Sequence, residues 1–124
     1  MSKYFSKKVT VDGLTFDSKH EAERWMELQA LQKAGLISNL ERQVKFELIP
    51  SQRIDGRVVE RALTYTADFV YLPKDAIVPV VEDAKPRGKD GKIPAYYKST
   101  AAWREYVIKR KLMLYLKGIK VLEV

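Results

Sequence analysis

The sequence predicts an α/β fold of the α+β type: one mixed β-sheet flanked by helices, in the order β-hairpin, helix, three strands, helix, strand. Three observations predict it. Runs rich in Val, Thr, Tyr, Phe and Ile are bounded by turn residues and read as strands. Two stretches carry apolar residues at helical spacing between a capping residue and a terminal glycine. No repeat, low-complexity tract or linker divides the 124 residues, so a single domain spanning 1–124 is expected.

The elements follow in order. Val9-Thr10-Val11 and Leu14-Thr15-Phe16 flank Asp12-Gly13, a two-residue hairpin signal because both turn positions need positive φ. Ser18-Lys19-His20-Glu21 fits a capping box, with Ser18 as N-cap and Glu21 at the third helical position. Trp25, Leu28 and Leu31 or Gln32 continue one helical face, and Gly35 is a stop. Residues 44–49 alternate as a strand that Gln43 opens and Pro50 ends, and polar residues 51–60, with Asp55-Gly56, form a loop or hairpin turn. Residues 62–72 and 77–85 are the next strands, Pro79 marking an edge or bulge. Residues 86–95 are a loop, 99–117 a long helix stopped by Gly118, and 119–124 a final strand.

Composition narrows the function. With 46% hydrophobic and 31% charged residues the chain is globular and soluble. No apolar run is long enough to span a membrane, and the first eight residues lack the apolar centre of a secretory leader. The absence of cysteine excludes disulfides, thiolate zinc sites and cysteine nucleophiles, and fits a reducing cytoplasm. A single histidine, His20, gives little support to multi-histidine metal sites or Ser/His/Asp chemistry. The net charge of +7 is unevenly placed. Residues 1–84 hold 12 Lys+Arg against 13 Asp+Glu, a balance of −1; residues 85–124 hold 11 against 3, a balance of +8. The basic excess begins at Lys85, directly after Asp83, which favours a polyanion held beside a carboxylate cluster.

Charged side chains in strand cores need a partner. Residues two apart in a strand share a face, so Asp83 and Lys85 point together and Glu82 points away. The short connection through Pro73 and Lys74-Asp75 makes the Asp68 and Asp83 strands an antiparallel pair, close enough to share a cation. Two carboxylates that close repel without a cation or proton between them. Mg²⁺ held by Asp68 and Asp83 would polarise a phosphate, and Lys85 would offset charge at the transition state. A structural Asp–Lys ion pair on a sheet face is the alternative. Glu21 has a capping role of its own, favoured by the helix dipole. His20 reads as a surface or packing residue.

Basic residues supply nucleic-acid contacts. Arg87, Lys89 and Lys92 sit in the 86–95 loop. Lys109, Arg110 and Lys111 are consecutive on a helix, each turned about 100° from the last, so at most two reach a phosphate backbone together. Lys109 and Lys111 join the loop residues as candidates. Tyr96 and Tyr97 could stack on bases or pack on the helix. Trp103, Tyr106, Leu112, Met113 and Leu114 read as core.

The order Glu21, Asp68, Asp83-Ala84-Lys85 resembles the PD-(D/E)xK nuclease superfamily, whose restriction-endonuclease-like core has a helix, three strands, a helix and a further strand. Nearly the whole chain is similar to small phage-encoded proteins of that superfamily. The matching stretches are Gly13 to Lys19 with Glu21, Gln43-Val44-Lys45-Phe46, Tyr65-Thr66-Ala67-Asp68-Phe69, Glu82 to Lys85, and Lys109-Arg110-Lys111. The resemblance implies metal ligation by Asp68 and Asp83 with Glu21 as a third acidic contributor, a catalytic Lys85, and Gln43 as a site neighbour on the nucleic-acid side. It departs in Ala67, where the naming proline would stand, and in aspartate rather than glutamate at position 83.

The expectation is a Mg²⁺-dependent DNA endonuclease, with Mn²⁺ able to substitute, that selects branched DNA such as a Holliday junction in phage recombination, replication or packaging. With no module for reading base edges, shape and backbone are the features recognised. A homodimer would suit paired nicks across a junction. The alternatives are a non-catalytic DNA-binding protein on a nuclease-like fold, and an assembly protein whose charges only solvate its faces.

Overall fold

Asp12 and Gly13 both take positive φ, 50° and 80°, and turn β1 (Val9–Val11) back onto β2 (Leu14–Phe16). This is the hairpin expected from Asp-Gly, because a turn with two left-handed positions matches the twist of the strands it joins. The computed structural model describes residues 7–124. Residues 1–6, most of the stretch read as lacking a secretory leader, lie outside the described residues.

Helix α1 (Lys19–Lys33) begins at Ser18, whose hydroxyl accepts from the Glu21 N–H at 3.1 Å. The return half of the capping box differs: the Glu21 carboxylate accepts from the Asp17 N–H at 3.2 Å, one residue before the N-cap. A long strand β3 (Ile37–Ile49) follows. Gln43 therefore lies inside a strand that starts earlier than its alternation suggested. Two bulges, one beside Asn39 at φ 54° and one between Glu47 and Ile49, break the sequence period.

The polar stretch closes as a hairpin of β4 (Gln52–Ile54) and β5 (Arg57–Glu60), turned by Asp55-Gly56. Strand β6 (Leu63–Pro73) and the short β7 (Val80–Asp83) come next. Residues 77–79 are not in a strand, because Pro79 lacks the N–H a ladder needs, and β7 ends at Asp83, so Ala84 and Lys85 lie just past the strand expected to hold them. A short helix α2 (Ala95–Lys98) stands at the end of the expected loop. Helix α3 (Ala101–Lys117) starts two residues later than expected because the Thr100 hydroxyl caps it, accepting from the Trp103 N–H at 3.2 Å. Gly118, at φ 67°, ends α3 in the left-handed conformation that glycine takes without a Cβ penalty. Strand β8 is only Leu122–Glu123.

The central sheet runs β3-β6-β7-β8, antiparallel except for the parallel β7–β8 edge. This is a mixed sheet flanked by helices, the coarse class the sequence predicts. Its core divides in two. Tyr65, Ala67 and Val81 pack with Tyr106 and Met113 of α3, while Phe69, Tyr71 and Val80 pack with Leu28 and Trp25 of α1. Along β7, Val81 belongs to the α3 cluster and Val80 to the α1 cluster, so the helices cover opposite faces of that strand. On β6, Tyr65 and Ala67 lie in the α3 cluster and Phe69 and Tyr71 in the α1 cluster, while Val70 packs on the α3 side, so the odd-numbered residues change cluster across Asp68.

Candidate active site

The β6–β7 register pairs Phe69 with Glu82. One step further sets Asp68 opposite Asp83, the cross-strand relation expected from the short connection. The β3–β6 register brackets Gln43 against Asp68, between Arg42↔Phe69 and Val44↔Ala67. The β7–β8 register pairs Asp83 with Glu123. A single row across all four strands therefore reads Gln43, Asp68, Asp83, Glu123.

Each group in the row is held. Gln43 takes φ 54°, a left-handed backbone rarely adopted by a residue of its shape inside a strand. There its amide nitrogen donates to Glu21 Oε1 at 3.2 Å and to Asp68 Oδ1 at 3.1 Å. The other Asp68 oxygen accepts from the Ala84 N–H at 2.7 Å. Asp83 is buried; Lys85 Nζ lies 2.8 Å from its Oδ1, and the Tyr65 hydroxyl donates to Oδ2 at 2.6 Å. Lys85 is also buried, with its ammonium 3.7 Å from the centre of the Tyr106 ring. Tyr106 in turn donates to Glu123, which Arg110 also approaches at 3.3 Å.

Electrostatics here are those of crowded carboxylates. Burial, then the charges of Asp83 and Glu21, push the Asp68 carboxyl up to about 7 against the hydrogen bonds from Ala84 and Gln43. Burial raises Glu21 as well, opposed by the Asp17 N–H and by Arg42. Burial, followed by the Asp83 charge, lifts Tyr65 far above the ordinary phenol range, so it stays a donor. Burial and Glu123 do the same for Tyr106.

Glu82 faces away from this site, as strand alternation requires. It is buried at 1% exposure and receives Arg24 through two hydrogen bonds of 2.9 and 2.7 Å, plus one from Tyr71. That set ties α1 to the sheet face opposite Asp83.

Glu21, Asp68, Asp83 and Lys85 open together onto a groove of about 1020 Å³. Lys7, Lys8, Lys19 and Arg87 line it, so the basic rim draws on both ends of the chain and not only on the segment after Lys85. Lys89 and Lys92 stand exposed outside its lining. Lys109 lines an adjoining smaller cavity, and exposed Lys111 lines neither. Tyr96 and Tyr97 both line the groove, and Tyr97 also packs edge-on against Trp103 with 6.1 Å between ring centres. His20 lines it too, with a buried Nε2 that no described residue hydrogen-bonds. Sequence reading missed Tyr65 and assigned Tyr106 only to the core; both are aromatic residues whose hydroxyls serve carboxylates, a role no local pattern announces.

Among the described residues no group of three or more His, Cys, Asp and Glu side chains is arranged to hold a metal ion. Mg²⁺ needs fewer, since one or two carboxylates suffice when waters and phosphate complete its shell. The two facing oxygen donors Asp68 and Asp83, the first with its carboxyl pushed up by burial and then by its neighbours' negative charge, fit that requirement.

The fold and site define a mixed α/β protein with crossed-strand carboxylates and a buried lysine on a basic-rimmed groove. Residues 1–92 match the family described as "Protein of unknown function (DUF1064)", and the chain belongs to that family. The matched stretch holds Glu21, Gln43, Asp68, Asp83 and Lys85 and ends before α2 and α3. No curated protein and no solved structure matches the chain. Among the described residues no helix is long and apolar enough to cross a membrane.

Proposed function

We propose that this chain is a Mg²⁺-dependent DNA endonuclease with a restriction-endonuclease-like core made by α1, β3, β6, β7, α3 and β8. One observation carries the reading: Asp68 and Asp83 face each other across β6 and β7, beside buried Lys85, in a groove with a basic rim. In this proposal Asp68 and Asp83 hold the cation and Glu21 contributes charge next to them. A bound Mg²⁺ or Mn²⁺ supplies Lewis-acid polarisation of the scissile phosphate.

The chain's own residues do the rest. Lys85 presents its ammonium to a non-bridging phosphate oxygen and offsets the charge that grows there. Asp83 and the Tyr106 ring fix where that ammonium points. Tyr65 orients Asp83, and Gln43 holds the Glu21 and Asp68 carboxylates at a fixed spacing. Lys7, Lys8, Lys19 and Arg87 attract the strand by charge alone, which favours shape and backbone recognition over sequence. Branched DNA of phage recombination, replication or packaging, including a Holliday junction, is the proposed substrate, acted on in the host cytoplasm by a homodimer.

A second reading, a non-catalytic DNA-binding protein on this fold, is favoured by one contact pattern: Lys85 and Tyr65 already occupy both oxygens of Asp83. The deciding experiment incubates the protein and Mg²⁺ with labelled linear, flap, fork and four-way-junction DNA. Asp83→Asn and Lys85→Met are each expected to lose about 10²-fold or more in cleavage while binding persists. Cleavage that survives both changes removes the site assignment. Absence of carboxylate-dependent Mg²⁺ or Mn²⁺ binding by calorimetry selects the binder.

A further inference from the structure

The Asp83–Lys85 pair has two open sides. One faces the large groove; the other lines a separate cavity of about 300 Å³ between β6 and the start of α3. We infer that this second cavity receives a single unpaired nucleotide joined to the scissile phosphate, so that the substrate must present a single-stranded nucleotide at the cleavage point. The inference rests on the nuclease reading of the same site.

Connectivity is the first support. A phosphate placed on Lys85 has one ester arm in the groove and the other at the cavity, because Asp83 and Lys85 belong to both walls. Size is the second. The cavity, about 300 Å³, is less than a third of the groove's volume, a space on the scale of one nucleotide.

Chemistry is the third support. Thr64 and Thr66, two apart on β6, line the cavity and share one face of the strand. Lys109, its side chain 23% exposed, stands on the opposite wall and among the described residues forms one ion pair, at 3.1 Å with Glu105, whose side chain is 68% exposed. Glu105 faces solvent, where its side of the pair is screened, so a phosphate can compete with it for Lys109. This gives Lys109 a local role distinct from Lys111, which points elsewhere on the same helix.

Ala102 is exposed on the first turn of α3 and lines the cavity, so Ala102→Phe fills it while every charged and core side chain of the lining is kept. The first measurement is the ratio of cleavage rates for a flap DNA and for a diester with no nucleoside, bis(p-nitrophenyl) phosphate. That ratio is expected to fall about tenfold in Ala102→Phe. The second is binding of a 5′-phosphorylated thymidine dinucleotide in EDTA, read by NMR shifts of Thr64, Thr66 and Lys109. Affinity is expected to fall about tenfold in Ala102→Phe and Lys109→Gln, and to rise a few-fold in Glu105→Gln. An unchanged ratio together with unchanged dinucleotide affinity overturns the inference. If the wild type hydrolyses neither DNA nor the diester, the nuclease reading fails alone, and the EDTA binding series still decides whether the cavity takes a nucleotide.

Discussion

Replacing Asp68 with asparagine should stabilise the metal-free protein, against the usual effect of altering a buried polar residue. The Asp68 carboxyl titrates near 7, raised by burial and then by the charges of Asp83 and Glu21. A carboxyl raised on folding binds protons more tightly in the native state. Native stability is then greatest below the unfolded value near 4 and falls as pH rises through about 7. A shift of about three units corresponds to a ceiling of roughly 4 kcal/mol at 1.36 kcal/mol per unit. Asp68 is only partly buried and shares its field with two neighbours, so about half of that, roughly 2 kcal/mol, is the expected gain from Asp68→Asn at pH 8. For a chain of this length that is a rise of roughly 8 °C in Tm. Asparagine keeps an oxygen for the Ala84 N–H, and the Gln43 amide nitrogen keeps its bond to Glu21 Oε1 while losing the one to position 68.

The assay is thermal unfolding of wild type and Asp68→Asn in EDTA at pH 5 and pH 8, repeated at pH 8 with millimolar Mg²⁺. The variant should lead at pH 8 in EDTA and lose that lead at pH 5, where wild-type Asp68 is already protonated. Mg²⁺ should stabilise wild type alone, because a cation that binds only the native site adds stability by mass action. A variant that unfolds at lower temperature than wild type at pH 8 in EDTA would refute the reasoning, because the carboxylates would then not repel. Equal stabilisation of both proteins by Mg²⁺ would refute the cation site.

Three further outcomes follow from other parts of the molecule. Arg24→Met leaves the Glu82 carboxylate buried without its cation and should cost about 3–5 kcal/mol in urea unfolding, whereas the double change Arg24→Met with Glu82→Gln should recover part of that loss. Gln43→Gly relieves the left-handed backbone but removes the amide between Glu21 and Asp68; stability should change by less than about 1 kcal/mol while the midpoint of the pH-stability curve moves upward. DNA affinity should fall steeply with salt, and Lys8→Gln with Lys19→Gln should reduce the slope of log K against log salt by roughly 1–2.

Much of the sheet was legible because its signals are local. Asp12-Gly13 made a hairpin, Ser18 made a cap, and alternation separated Asp83 from Glu82. What escaped was non-local. Gln43 carried no readable signal because its place inside β3 depends on bulges that break the sequence period. Tyr65 became a partner of Asp83 only through the meeting of β6 and β7, and Lys7, Lys8 and Lys19 reached the groove only because the N-terminal hairpin and α1 fold over it. The charge tally pointed only to the segment after Lys85, since a tally along the chain cannot see a rim assembled from both ends.

The row Gln43, Asp68, Asp83, Glu123 explains why polar side chains survive at the centre of a small sheet. Each helix buries apolar residues on its own side, Tyr65 and Ala67 under α3 and Phe69 and Tyr71 under α1, and neither core closes over Asp68. An apolar residue in the row would gain little burial there, while a carboxylate can keep one side toward the groove. Burial, then the charges of Asp83 and Glu21, raise Asp68, and the fold restrains the carboxylates with fixed donors: the Gln43 amide, the Ala84 N–H, Lys85 and the hydroxyls of Tyr65 and Tyr106. Four of the five are neutral, so they soften the negative potential around Asp68 without cancelling it. A residual negative potential at the meeting of two cores, with a lysine beside it, attracts a cation first and a phosphate second. That order separates a metal-dependent hydrolase from a simple anion binder, and metal titration before any addition of DNA is the measurement that reads it.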